Sequence, residues 1–376
     1  MPRPELFTPI DVGGITLPNR IVISPMCQYS ADDGSMTDWH LIHLGQLAYS
    51  GAGLLVVEAT GVTREGRITH GCTGLYTDDN EAAMARVIQA CRRLSQNPIG
   101  VQLAHAGRKA SVHVTWKGGK PLGPGESPWQ TVAPSPIPFG EGWHVPHEME
   151  VAEIKKLVEN FVASALRARR IGFDAVELHS AHGYLLHQFL SPLSNQRSDS
   201  YGKNRMQFPL EVAQAVRDVW PKERALGARI SGSDWMDGGL GPDDAVAYAK
   251  ELKRIGYDYV CVSSGALSPL ARMPVAPNYQ VPFAERVKKN VDINVRAVGM
   301  IADPEQAEDI VASGKADMVA MARAFLDNPR WVWHAAERFG IKLDYPPQYS
   351  RARPDAWPGS KLARSPSPPQ SGSPPS

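Results

Sequence analysis

Two histidines three positions apart, His179 and His182, and a tyrosine two further on, Tyr184, stand in the stretch AVELHSAHGYLLHQFLSPLSNQRSDSYG, residues 175–202. Two imidazole N–H donors that converge on one carbonyl or nitro oxygen can stabilise negative charge developing there. A tyrosine beside them is a weak acid able to protonate the neighbouring carbon. A metal site is the rival reading, because His187 follows and offers a further nitrogen. No carboxylate lies within the motif on its loop side, however, and a catalytic zinc wants a third well-placed ligand. A lone histidine is more often a satisfied structural residue, so the weight falls on what else is brought to this place.

The motif begins as an apolar strand and ends in a polar loop. Seven other short runs rich in Val, Ile, Leu and Ala share that strand character: 20–26, 54–60, 99–105, 226–232, 259–265, 295–301 and 318–324. Near-continuous apolar strands suit a parallel sheet buried on both faces. Amphipathic segments separate them, clearest at 80–96, 149–172, 241–256 and 303–317. The segment 241–256 opens on Pro and acids and closes on Gly, the expected helix punctuation. Eight β-then-α units predict a (β/α)8 TIM barrel of the α/β class. An open dinucleotide-binding sheet would need a G-x-G-x-x-G after a strand, and the chain has none.

In such a barrel the C-terminal strand ends form the chemical face. Strand one ends in Pro25-Met26-Cys27, with Tyr29 just after, and strand two in Glu58-Ala59-Thr60. Strand three carries Gln102 and ends at His105. Strand four brings His179, His182 and Tyr184, and strand five carries Arg229. An arginine in an apolar strand is costly unless paired or liganded. It either pairs inside the barrel with Glu177 or meets a ligand. Strands seven and eight end in Gly299-Met300 and Ala322-Arg323, where barrel enzymes commonly grip a phosphate through backbone N–H groups. Independent structural accidents would scatter polar residues over both ends of the barrel. Their collection at one end argues for a site holding a phosphate-bearing ligand on one side and a carbonyl-like group on the other.

The segment 106–148 is rich in Gly, Pro and Trp and long for a βα loop. It is expected to run over the barrel mouth as a lid. The chain then reads as one barrel domain over 1–351, followed by a Pro/Ser-rich tail, 352–376, expected to be disordered. A composition of 43% hydrophobic and 21% charged residues is that of a soluble globular protein. A formal charge of +1 gives no reason to expect nucleic acid or an anionic membrane. The cysteines Cys27, Cys72, Cys91 and Cys261 show no C-x-x-C spacing, and read as reduced thiols of a cytoplasmic protein. No segment has signal-peptide or membrane-span character.

The chain resembles the Old Yellow Enzyme family of FMN-dependent ene-reductases over about residues 4 to 351. Within that family it is most similar to the bacterial thermophilic-like branch that includes xenobiotic reductase A. The resemblance rests on FTPIDVGGITLPNRIVISPMCQYS, LLVVEATGVTREGRIT, GVQLAHAGRKAS, the His-His-Tyr stretch, YQVPFAERVK and AVGMIADPEQAEDIV, in that order. It implies FMN as cofactor and NADPH or NADH as reductant. It also implies activated alkenes, α,β-unsaturated carbonyl or nitro compounds, as substrates. Ser24, Pro25, Met26 and Cys27 would lie along the flavin ring, with Cys27 tuning its potential. Ala59, Gln102 and Arg229 would contact the ring system, with Arg229 offsetting charge on the reduced form. Gly299, Met300, Ala322 and Arg323 would hold the phosphate, although the family's usual pair at the last two positions is Gly-Arg. His179, His182 and Tyr29 would bind substrate, and Tyr184 would donate the proton. The branch implies a homodimer or homotetramer in which Arg351 enters a neighbouring subunit's site. Relatives with an iron–sulfur cluster are excluded, because no cysteine follows Cys261.

Two other functions fit parts of this pattern. A flavin-free phosphate-binding barrel, a lyase or isomerase, would need an acid–base pair or a Schiff-base lysine, and the strand ends offer no such lysine. A non-catalytic flavin-binding protein would have no use for the histidine pair and Tyr184.

Overall fold

The computed structural model describes residues 3–364. A hairpin comes first, β1 (Ile10–Val12) and β2 (Ile15–Leu17), then β3 (Ile21–Ile23), α1 (Asp38–Ala48), β4 (Leu54–Gly61), α2 (Asp78–Leu94) and β5 (Ile99–Ala104). The long excursion after β5 holds two short strands, β6 (Val132–Ala133) and β7 (His147–Glu148). Next come α3 (Val151–Ile171), β8 (Ala175–Ser180), α4 (Leu185–Leu190), α5 (Ser200–Lys203), α6 (Gln207–Val219) and β9 (Ala225–Ser231). The second half continues with α7 (Pro242–Ile255), β10 (Tyr259–Ser263), α8 (Val281–Asn290), β11 (Asn294–Ala297), α9 (Pro304–Ala312), β12 (Met318–Met321), α10 (Arg323–Asp327), α11 (Trp331–Arg338) and α12 (Ser360–Arg364).

Eight strands close a parallel barrel in the order β3-β4-β5-β8-β9-β10-β11-β12, with β12 returning to β3. Each of the eight apolar runs supplies one of them, so the TIM-barrel reading holds. Helix punctuation follows the sequence. Asp244 accepts the Gly241 N–H at 2.8 Å to open α7, and Gly256, at φ +98°, closes it. Asp303 caps α9 by accepting the N–H groups of Glu305 and Gln306.

One apolar layer lies between the barrel and its helices. A second, smaller one fills the barrel interior and includes Val22, Leu54, Val56, Ala175 and Met318, together with Val12 and Leu17 of the hairpin. The hairpin thus packs onto the barrel's inner core, a role its sequence did not announce. Higher in the barrel the interior turns polar. Glu177 and Arg296 are both fully buried and lie 2.9 Å apart. The Arg296 guanidinium stacks 4.3 Å over the Tyr259 ring, and Gln102 donates to Glu177 at 2.7 Å. Gly227 makes room for this layer, because a Cβ there would meet the Tyr259 ring at 2.3 Å.

The partner of Glu177 is therefore Arg296 and not Arg229. Glu177 is in register with Gly227, whereas Arg229 is in register with His179, one inward-facing position nearer the mouth. Part of the segment read as a tail is folded: residues 360–364 form α12, and Ser360 is buried. Residues 365–376 of that tail lie outside the described residues. Among the described residues, no helix is long and apolar enough to cross a membrane.

Candidate active site

The strands end earlier than their apolar runs. β3 stops at Ile23, β11 at Ala297 and β12 at Met321, so the residues beyond them are released from the ladder at the mouth. Ser24 is buried and its N–H still bonds the Met321 carbonyl at 2.9 Å. Pro25, Met26 and Cys27 follow. A bulge in β4 shifts the register between Val57 and Ala59, leaving Glu58 as the extra residue. The Glu58 carboxylate accepts the Gln28 N–H at 3.0 Å and faces His40 of α1 at 3.4 Å, anchoring the segment between Cys27 and Tyr29. Ala59 stands in register with Gln102 on β5.

Burial, then neighbouring Cys72 and Glu58, pushes the Cys27 thiol well above its usual range. A thiol held protonated is a poor nucleophile. The Tyr29 ring packs edge-on against Trp116 of the excursion, with centroids 5.8 Å apart. Burial raises the Tyr29 phenol too.

His179 and His182 come together, their ring centroids 5.0 Å apart. His179 lies on β8. His182 reaches back from a turn whose backbone is left-handed at His182 (φ +59°) and Gly183 (φ +70°). The Tyr184 ring sits 4.8 Å from His179, near perpendicular to it. His179 Nδ1 accepts the Ala181 N–H at 3.3 Å, which leaves its Nε2 to carry the proton. His182 Nε2 lies 2.7 Å from the Ser263 hydroxyl. Burial, then the Arg229 guanidinium, holds both imidazoles well below the usual histidine range. The pair is therefore neutral at neutral pH, each ring carrying one N–H. His187 Nε2 turns away from the pair, to Asp234, 2.8 Å away.

Arg229 lies beside the pair. Its Nη2 reaches Ser263 at 3.4 Å, and its buried Nε has no partner among the described residues. An unpaired guanidinium nitrogen is costly in a protein interior, and it suits an electron-rich ligand atom. On the far side Gly299 takes φ +112° and Met300 φ +49°. A Cβ on Gly299 would press on Gln280 at 2.8 Å, so glycine is required on both counts. Ala322 caps α10 and Arg323 is its exposed first residue. The Arg323 side chain and the backbone of these turns could hold a phosphate, and the unpaired Arg229 Nε could meet a ring acceptor, so the residues present fit FMN.

Four contributors were not singled out in the sequence. Ser263, last residue of β10, links His182, Arg229 and Gln280. Gln280 accepts from both Ser263 and Ser264. Arg296 fills the barrel layer below. Lys109 donates to the His182 and Ala266 carbonyls at 2.7 and 2.8 Å and lies 5.0 Å over the Tyr184 ring. Its burial, with Arg108 adjacent, pushes the amine down to about 7. The available signals were the strand-end serines of YVCVSSG and the basic pair opening the excursion. Arg351 stands apart, exposed in a helical turn, Pro347–Ala352, on the outer surface.

A family model described as NADH:flavin oxidoreductase / NADH oxidase matches residues 5–340. An NADPH dehydrogenase of Geobacillus thermodenitrificans is 46% identical over 351 residues, covering 92% of this chain and 98% of that protein. An NADPH dehydrogenase of Bacillus subtilis is 40% identical, with coverage of 92% and 98%. Among solved structures, morphinone reductase in complex with tetrahydroNAD superposes with a TM-score of 0.74 at 30% identity, covering 92% and 93% of the two chains. The chain is a flavin oxidoreductase that belongs to the NADH:flavin oxidoreductase / NADH oxidase family and is of the Old Yellow Enzyme type, with FMN as cofactor and a nicotinamide as reductant.

Proposed function

We propose that this enzyme reduces the C=C bond of activated alkenes, α,β-unsaturated carbonyl or nitro compounds, at the expense of NADPH or NADH. The observation that carries the reading is the convergence of His179, His182 and Tyr184 beside an incompletely paired Arg229 at the barrel mouth. FMN, when bound, would supply the redox chemistry that relays hydride from the nicotinamide to the β-carbon of the alkene. The protein contributes placement and electrostatics.

Neutral His179 and His182 bind the carbonyl or nitro oxygen of the substrate and stabilise the charge that develops there. Tyr184 delivers a proton to the α-carbon, and its phenol stays protonated because burial holds it well above its usual range. Tyr29, packed against Trp116, offers a second hydroxyl to the substrate. Arg229 would offset negative charge on the reduced cofactor. Ser24, Pro25, Met26, Cys27, Ala59 and Gln102 would line the ring, and Gly299, Met300, Ala322 and Arg323 would hold the phosphate.

The excursion 106–148 acts as a lid, a role supported by its contacts through Lys109 and Trp116 with Tyr184 and Tyr29. The active form is a homodimer or homotetramer, with Arg351 completing the site of a neighbouring subunit. Four free cysteines suit the reducing cytoplasm.

The test is anaerobic reduction of the holoenzyme with NADPH and with NADH, followed by reoxidation with a panel of enones, maleimides and nitroalkenes. Rapid, stoichiometric reoxidation with saturation of the C=C bond is expected. Reoxidation by oxygen or quinones alone would overturn the reading.

A further inference from the structure

We propose that Asp234 and His187 form a positioning pair that fixes the turn carrying His182 and Tyr184 by fixing the tautomer of His187. The proposal rests on the reading that these two residues serve alkene reduction.

His187 lies on α4 and is fully buried, as is Asp234 in the loop after β9. His187 Nδ1 accepts the Gly183 N–H at 2.8 Å. A backbone N–H can only donate, so Nδ1 carries no proton, and the ring proton sits on Nε2. Nε2 lies 2.8 Å from Asp234 Oδ1; neither atom makes a hydrogen bond among the described residues, so the contact is electrostatic, and a carboxylate this close favours that tautomer. Asp234 is held in turn by the Ser191 hydroxyl at 2.7 Å and the Leu240 N–H at 2.8 Å. The chain of contacts thus runs from the β9 loop, through one imidazole, to the amide between His182 and Tyr184.

That amide has little freedom to move. Gly183 is left-handed, and a Cβ on it would lie 2.4 Å from the Ala266 carbonyl oxygen. Its own carbonyl accepts from Gln188 at 2.7 Å. The His182 carbonyl accepts from Lys109, and the Leu185 N–H bonds the His105 carbonyl at 2.9 Å. Most polar groups of the turn backbone are thus held by residues outside it. A buried amide that loses its acceptor bears the full cost of desolvation, and the turn must shift to relieve it.

Asp234→Asn tests this in the holoenzyme. The asparagine amide can donate to Nε2 and drive the ring proton to Nδ1, where it opposes the Gly183 N–H. Nitrogen-15 NMR of labelled histidine reads the tautomer directly. We expect it to switch, with faster exchange of the Gly183 amide. Flavin is expected to remain bound, and reoxidation by a simple cyclic enone to slow on the order of 10²-fold, the scale for misplaced reacting groups.

His187→Asn keeps an acceptor where Nδ1 stood and serves as the conservative rescue. Asp234→Asn added to that background should change turnover little, because the tautomer no longer matters. An unchanged tautomer in Asp234→Asn, or an equal loss in both backgrounds, overturns the proposal. Should Asp234→Asn fail to fold, the double variant decides. Turnover near the His187→Asn level supports the proposal, and turnover about tenfold or more below it, a misplacement-scale loss, refutes it. If the unaltered enzyme reduces no enone, the functional reading fails, while the tautomer and the Gly183 exchange still decide the positioning claim.

Discussion

Arg296 lies 2.9 Å from Glu177 inside the barrel, and neither side chain is exposed to solvent. A buried ion pair loses most when one partner is removed, because the other charge is stranded. Arg296→Met should therefore lower stability by about 3–5 kcal/mol. The double variant Arg296→Met with Glu177→Gln should recover most of that loss. Urea denaturation of the holoenzyme measures both, and a double variant no more stable than Arg296→Met would contradict the pairing.

The proton that Tyr184 is proposed to give is needed only when the alkene is reduced. Tyr184→Phe should slow reoxidation of the reduced enzyme by an enone about 10²–10⁴-fold, the usual range for a positioned general acid. Reduction by NADPH should change far less. Stopped-flow measurement of the two half-reactions separates them. Equal slowing of both would assign Tyr184 to binding.

Cys27 is held as a thiol by burial, Cys72 and Glu58, and its proposed role is to tune the environment of the cofactor. Cys27→Ala should stay yellow and active, with a shifted flavin midpoint potential. Loss of all turnover with flavin still bound would mean that the sulfur takes part in bond making.

Acid should destabilise this protein through buried histidines. Burial holds His105 down to about 4, and burial with His40 nearby does the same for His43. Between pH 6.5 and 4 the unfolded chain binds protons at these positions that the folded chain refuses. Stability is therefore fully present above about pH 6.5 and falls as the pH drops toward 4. Each such histidine contributes a slope of up to about 1.4 kcal/mol per pH unit. Thermal unfolding across that window should show the fall, and His43→Gln should flatten it. A midpoint unchanged from pH 7 to 4 would contradict the assignment.

Arg351 sits on a segment pinned to its own chain. The Tyr349 hydroxyl lies 3.1 Å from that of Tyr49, and Arg330 stacks on both rings. The arginine is thereby presented outward from a fixed base. If it completes a neighbouring site, mixing subunits of Tyr184→Phe and Arg351→Ala should restore part of the activity that each variant lacks. No recovery, with mixing verified by mass spectrometry and both variants impaired, would confine each site to one subunit.

Much of this protein could be read along the chain, because the barrel repeats one local rule. An apolar run long enough for one strand, followed by a helical segment, recurs eight times, and the direction of a βα unit already tells which end will be the mouth. Local motifs likewise brought out His179, His182, Tyr184, Arg229 and Cys27, since chemistry-bearing residues at strand ends are visible in one dimension. The pairing of those residues could not be read that way. Glu177 has Arg296 as its partner, 119 positions away, and Arg229 is left over for a ligand. Asp234 meets the turn of His182 and Tyr184 through His187. Ser263 and Gln280 matter because β10 stands beside β9 and α8 folds back over it. Such choices depend on strand register and on the order of strands around a closed barrel. A shift of two residues along one strand moves a side chain to a different layer, and no local pattern records it. The sequence by itself determined the barrel, its chemical end and the residues that would meet there; the tertiary structure decided which buried charges cancel one another and which remain to act.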